Sequence, residues 1–499
     1  DGIVYIACVE GLYRHALGGS AMEQIIDGAL STFGDNSSIY TAEVLEGQEF
    51  LVQFDLSGGL VRYHFDESVK SMPDKEIRIY SLEENSGVRQ AVTSFKKDHT
   101  DMYVRYETGT GNEDGMTKED AVKRLNTRIL SGEGPDVIIL DGLPVDSYVE
   151  KGLLEDLSEV LDGQDGEDVL FSNLTESFRQ EDGAVYAMPL CVQVPLLVGD
   201  TDVINGMTDL ESFADGMEAL REENPEGGML GIYDAEAMLK LFGMVSSPAW
   251  TDESGQIDRE AVEAFLTQVK RIYDTECAGA VPEETAVLRA EDEELLQYGW
   301  DPVGQKMEAC DNVLNIRRGY ARLACGYVEG IQLCLDNITT VIDLEGEMDY
   351  KGFPGQAQNV FLPKGMVGVS AKSEEPEVAK AFLRTMFSAE VQKNIYGGFP
   401  VNRAAFADRF DSLEPGGENG SMTMVKSDGT EEEMTLRWPD EAGERKFTEL
   451  MQGLKTPAAG EEWLCELVYE AGVRVLEDDM SVGEAAEEIE KKAAIYLAE

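Results

Sequence analysis

At 499 residues the chain has material for roughly three compact units of about 150 residues each, and its 42% hydrophobic content includes no apolar run approaching the ~18 residues of a membrane span. Its 98 Asp plus Glu against 41 Lys plus Arg give a formal charge of −57, a field that repels phosphate backbones and anionic lipid and sets nucleic acid aside as a partner. Such an excess suits either a solvated acidic surface or an acidic cleft for a cationic ligand.

In chain order, residues 1–72 come first and read as short antiparallel strands. IVYIAC, LYRHAL, IYTAEVL, EFLVQFDL and LVRYHF alternate or run apolar, with the turn signals VEG, EGQ and SGG between several of them. AMEQIIDGAL interrupts the series and reads as a helical turn. So short a set exposes sheet edges unless something packs on them. The pattern suits the last one or two blades of a β-propeller, or a small sheet domain docked on the rest of the chain. The chain begins at Asp1 rather than Met, and IVYIACV lacks a basic flank, so any targeting segment is expected to have been removed or to lie outside the sequence.

From Lys75 strands alternate with helices. EIRIY is a strand; Val88, Ala91, Val92 and Phe95 fall at the spacing of one helix face; MYVRYE is the next strand. Thr117 with Asp120 resembles a capping box, Ala121, Leu125 and Ile129 share a face, and Gly132 stops the helix before the strand VIIL. Parallel strands joined by helices are covered on both faces, which accounts for a continuous apolar run. Ligands of such sheets bind beyond the carboxyl ends of the strands, where Glu83, Glu84 and Asp141 stand. Asp141 also suits a turn former or a cap for the helix at Val145 to Glu150.

Catalytic and metal motifs are missing. Seven Cys (8, 191, 277, 310, 325, 334, 465) form no CxxC pair and read mostly as buried free thiols, and His15, His64 and His99 are too scattered for a zinc site. DGQDGED at 162–168 has the acidity of a calcium loop without its spacing, and reads as a solvated turn. GTGNEDG at 109–115 lacks the last spacing of a dinucleotide fingerprint, and no GxSxG, P-loop or HExxH occurs. A glycosidase-like pairing of Glu84 with Glu329 carries little weight in so acidic a chain. No enzyme activity, cofactor or metal is expected.

IRIYSLEENSGVRQAVTSFKK, followed by GEGPDVIILDG and SYVEKGLLEDLS, resembles the N-terminal lobe of family 1 extracellular solute-binding proteins, the maltose-binding-like receptors of ABC importers. GAVYAMPLCVQVPLLVGD resembles the passage into their second lobe, and RRGYARLACGYVEGIQ the glycine-and-aromatic stretch on that lobe's side of the cleft. GMVGVSAKSEEPEVAKAFLRTMFSAEVQKNIYGGFPVN is similar to their returning strand and helix, and EAAEEIEKKAAIYLAE to the terminal helix of Gram-positive members.

The resemblance spans 75–499 and implies an α/β, two-lobed type II periplasmic-binding-protein fold behind the small β segment. Lobe one would take 74–187 plus 361–400 and lobe two 188–360 plus 401–499, with hinge crossings near Ala187 to Val192, Val360 to Val367 and Val401. It implies an extracellular receptor, lipid-anchored upstream of Asp1 at a Gram-positive cell surface, that hands a small solute, first of all a carbohydrate, to ABC permease subunits. A surface sensor, or a receptor for a cationic solute such as a polyamine, are the alternatives. Matching site positions are Glu84 and Asp141 in lobe one and Tyr327 with Glu329 in lobe two, to which Trp250, Trp300, Phe353 and Phe399 add loop aromatics for stacking on sugars. Leu140 and Tyr80 stand where the maltose-type receptors carry Trp, which weakens the case for an oligosaccharide.

Overall fold

The run Val137–Ile139 is a strand buried throughout. In the computed structural model it lies between Lys75–Ser81, to which it is parallel, and Val367–Val369, to which it is antiparallel. Met102–Thr108 completes this four-stranded sheet, parallel to Lys75–Ser81. The structure describes all residues except 1, 9–10, 29–30, 32, 34–38, 46–48, 55–59, 65–74, 100–101, 111–116, 164, 253–254, 459–461 and 497–499. The turn signals at 46–48 and 57–59, the boundary near 72 and most of GTGNEDG therefore lie outside the described residues.

The helices that flank these strands obey local chemistry. Ser86–Asp98 starts where the Asn85 side chain accepts from Val88 N, and it buries Val88, Ala91, Val92 and Phe95. Lys118–Ser131 starts at Thr117, whose side chain accepts from Asp120 N, buries Ala121, Leu125 and Ile129, and ends at Gly132 with φ of 81°. That left-handed conformation is open to glycine at little cost.

The chain divides into two compact units, 1–170 with 178–190 and 365–395, and 171–177 with 191–364 and 396–499. Three stretches expected in lobe one, 171–177, 361–364 and 396–400, belong to the second unit. Val360–Lys364 pairs antiparallel with Cys191–Asp200, and Phe399–Pro400 pairs with Cys191 and Val192, so strand pairing holds both there. Cys191–Asp200, buried over nine of its ten residues, also pairs with Ala324–Val328 and Met348–Gly352, and a separate hairpin joins Glu418–Val425 to Glu431–Arg437. Around this sheet pack Phe213, Phe242, Trp250 and Phe265 and helices that include Arg259–Ala278, Glu462–Leu476 and Val482–Tyr496.

The N-terminal segment carries two antiparallel three-stranded sheets among the described residues, Ile3–Cys8, Gly11–Ala16 and Met22–Asp27, then Ile39–Val44, Phe50–Phe54 and Leu60–Tyr63. Within AMEQIIDGAL, Met22–Asp27 is thus a strand rather than a helical turn, because its backbone pairs with Gly11–His15. A propeller blade has four strands. Leu12, Phe33, Phe50, Val52 and Phe54 give the segment an apolar core of its own, with the Tyr5 and Phe50 rings 5.4 Å apart.

None of the seven Cys is in a disulfide; 191, 310, 325 and 334 are buried, whereas Cys277 is exposed. Among the described residues, no helix is long and apolar enough to cross a membrane.

Candidate functional site

At the carboxyl end of Lys75–Ser81 in the first unit, the loop to the next helix gathers Glu84, Asn85, Arg89 and Tyr106. The Tyr106 hydroxyl accepts from Asn85 N at 2.9 Å and lies 2.7 Å from Ser81 Oγ; burial pushes the phenol's pKa up. Arg89 stands 5.2 Å over the Tyr106 ring and donates from Nη2 to Glu84 Oε2 at 2.7 Å, with a second contact from Nε to Oε1. Glu84 is therefore an acceptor paired with an arginine of the helix that follows it. Arg89 and Tyr106 are additions that sequence reasoning missed; the Asn85 cap just before the apolar stripe was the available signal.

Asp141 has a different task. Its Oδ2 accepts from Gly365 N at 2.9 Å and its Oδ1 from Met366 N at 3.0 Å, within the first unit. The helix Val145–Glu150 is preceded by Pro144 as its cap residue and has no side-chain cap, so the capping alternative fails. The carboxylate instead pins the turn that feeds Val367–Val369, where Gly365 has φ of 65°.

In the second unit the sheet brings together Tyr327 and Glu329, both foreseen, with Gln193 and Glu308, which were not. Val194 and Val328 are paired in register, which sets Gln193 beside Glu329. Gln193 Nε2 donates to Glu329 Oε2 at 2.9 Å, while its Oε1 is buried without a hydrogen-bond partner. Glu308 bridges to Tyr327 through the backbone, and its Oε1 accepts from the Tyr327 hydroxyl at 3.4 Å. Its Oε2 accepts from Cys310 Sγ at 3.3 Å.

Among the described residues no Lys or Arg forms an ion pair with Glu308 or Glu329. Burial, and then the neighbouring acids Asp311 and Glu329, push the Glu308 carboxyl above its usual range; burial and the same two glutamates raise the Tyr327 phenol. Beyond Glu329, Leu333 has φ of 61° and is 66% exposed, a conformation disfavoured for a bulky residue. The cluster thus offers carboxylate and amide acceptors, a ring face and a hydroxyl, a set that matches a polyhydroxylated or amine-bearing solute.

The remaining aromatics separate sharply. Trp250 is fully buried, 4.7 Å from the Phe265 ring, and its Nε1 donates to Gln356 Oε1 at 3.0 Å. Phe353 packs 5.2 Å from Phe242, and Phe399 packs 4.7 Å from Phe447. All three have their faces covered by protein, which leaves no face on which a solute can stack, and they are corrected from site to core. Trp300 is 64% exposed and lines a cavity that none of Gln193, Glu308, Tyr327 or Glu329 enters. Among the described residues, no group of three or more His, Cys, Asp or Glu is placed to hold a metal.

A family model described as bacterial extracellular solute-binding protein matches residues 90–289. No curated protein matches the chain in sequence. Among solved structures, the sugar-binding protein MalE from Xanthomonas citri is similar at 14% identity and a TM-score of 0.51, over 85% of this chain and 98% of its own. A family 1 extracellular solute-binding protein from Alicyclobacillus acidocaldarius is similar at 12% identity and a TM-score of 0.50, over 86% of this chain and 100% of its own. The chain therefore has the mixed α/β fold of solved extracellular solute-binding proteins, and the sequence signature of that class falls on residues 90–289.

Proposed function

We propose that the chain is an extracellular solute-binding receptor that takes up a small solute, a carbohydrate first of all, leaves it chemically unchanged, and passes it to the permease subunits of an ABC importer. The observation that carries this reading is the match of residues 90–289 to the bacterial extracellular solute-binding model, on a chain with the corresponding fold. The carbohydrate class is supported by the sugar-binding Xanthomonas neighbour and by the cluster around Glu329, whose acceptors and ring suit hydroxyls and an apolar sugar face.

On this reading Glu329, Tyr327, Glu308 and Gln193 contact the solute in the second unit. In the first, Glu84 and the hydroxyl of Tyr106 are the candidates, and attachment at the cell surface through a lipid anchor belongs to the same proposal.

Calorimetry and thermal shift across mono- and oligosaccharides test it. One sugar class should bind saturably and raise the melting temperature as its concentration exceeds Kd, with the sugar recovered intact. Glu329→Gln should weaken that binding by about 1–3 kcal/mol while the free protein melts unchanged. Release of a shortened sugar, or no response to any solute, would overturn the reading.

A further inference from the structure

The second unit holds a cavity of about 880 Å³, in the size range of small-molecule sites. One wall is the helix Pro282–Gln297 with the turn that ends it, another the helix Ala309–Arg318, and a third the Glu418–Val425 strand of the hairpin. The hairpin is pinned to the second wall, since Ser427 N donates to Arg318 O at 2.8 Å and Arg318 Nε to Val425 O at 3.3 Å. At the end of the first wall Gly299 has φ of 78° and Trp300 N donates to Leu295 O at 3.0 Å. This turn contributes Tyr298, 71% exposed, and Trp300, 64% exposed, to the cavity lining. Trp300 is the one Trp among the exposed large hydrophobics of the described residues.

The lining selects a class of occupant by elimination. Its floor is aliphatic, built from Leu288, Leu295, Leu314, Met422 and Met424, which disfavours a ligand that is hydroxylated all round. Its two cations are already spent, Lys306 on Asp292 at 2.6 Å and Arg318 on Glu291 at 3.1 Å, so an anion finds no free partner. Asp311 and Glu294 remain without an ion pair among the described residues; Asp311 is half-buried, its pKa pushed up by desolvation against a hydrogen bond from Gln305, and Glu294 is exposed. A neutral apolar occupant would desolvate these carboxylates further without compensating them. A cation carried on an apolar body uses every part: the body covers the aliphatic floor, the charge faces Asp311 and Glu294, and the indole and phenol rings stabilise it through their negative faces.

We propose that this cavity is a binding site for an amphipathic organic cation, an amine or quaternary ammonium on an apolar body, with Trp300 and Tyr298 as its ring contacts and Asp311 as its counter-charge. The site goes beyond the solute-receptor reading, which rests on other residues, and either can fail without the other.

The full-length chain is titrated with benzyltrimethylammonium, and in parallel with benzyl alcohol, benzoate and maltotriose, using Trp fluorescence and heat as readouts. The expected result is saturable binding of the ammonium alone, weakened by added salt. Trp300→Ala should lower its affinity about tenfold and Trp300→Phe much less, because phenylalanine retains a ring face. Asp311→Asn should lower it about tenfold as well, by removing the counter-charge. Trp300 is exposed enough for its truncation to leave the fold intact, and an unchanged melting temperature verifies this. Equal binding of the alcohol, the carboxylate or the sugar overturns the proposal. So does ammonium binding that neither variant weakens, which would be counterion association with a chain of charge −57, and so does no saturable binding at millimolar concentration.

Discussion

The second unit buries carboxylates in two opposite ways. Glu276 is completely buried, and its oxygens accept from Met229 N, Leu230 N and Gly231 N at 2.9, 3.0 and 2.8 Å. Three successive amides make a backbone nest for the anion, and Arg221 ties the same turn by donating to the carbonyls of Thr275, Asn224 and Gly227. Glu308 is half-buried beside a second carboxylate, with only a thiol and a phenol as donors. The first arrangement spends the carboxylate on the fold, although burial still raises its pKa against the three amides. The second leaves it for something that arrives, and it is the second kind that marks a site.

Removing the compensated carboxylate should therefore have the largest effect on folding. Glu276→Ala leaves three buried amides without an acceptor and should cost about 3–5 kcal/mol in chemical denaturation, with a clear drop in melting temperature. A loss below about 1 kcal/mol would mean that water replaces the carboxylate and that the contrast with Glu308 is not one of compensation.

Asp141 extends the comparison to the first unit, because it too spends both oxygens on backbone amides. It is exposed to solvent, so the expected cost of Asp141→Ala is smaller, about 1–2 kcal/mol, with solute affinity nearly unchanged. An affinity loss without a stability loss would return Asp141 to the list of solute contacts and break the parallel with Glu276.

The smallest effect, and the sharpest in sign, belongs to Glu308. A carboxyl whose folded-state pKa lies above its unfolded value binds more protons when folded across that interval. Its contribution to stability is fully present below the unfolded pKa and is lost as pH rises through the folded one. Glu308→Gln removes that loss, so the variant should gain on the parent protein as pH rises from the carboxylate range to neutrality. Melting curves of both proteins between about pH 4 and pH 7 check the sign. A constant difference across that range would show that the Glu308 carboxyl binds its proton equally in the folded and unfolded protein.

The sequence by itself determined the elements whose signals are local. The stripe of Val88, Ala91, Val92 and Phe95, the cap at Thr117 and the stop at Gly132 are local signals, as are the apolar runs of the strands Lys75–Ser81 and Met102–Thr108. Tyr327 and Glu329 entered through the resemblance of RRGYARLACGYVEGIQ to a second-lobe stretch, and they lie in and just after the strand Ala324–Val328.

Only the tertiary structure decided the rest. Val360 to Val367 was expected as a hinge crossing, and the membership of Val360–Lys364 in the second unit depends on Cys191–Gln193, more than 160 positions away. Met22–Asp27 became a strand because a neighbouring strand supplied hydrogen-bond partners that no single segment contains. Trp250 and Trp300 have the same side chain, and one is sealed against Phe265 and Tyr469 while the other stands in water. What separates them is which distant apolar surface reaches each ring, and burial of that kind is a property of packing rather than of the residue. The same holds for Asp141, whose position at the end of an apolar run suits a ligand contact, a cap or a clamp equally until the amides of Gly365 and Met366 arrive beside it.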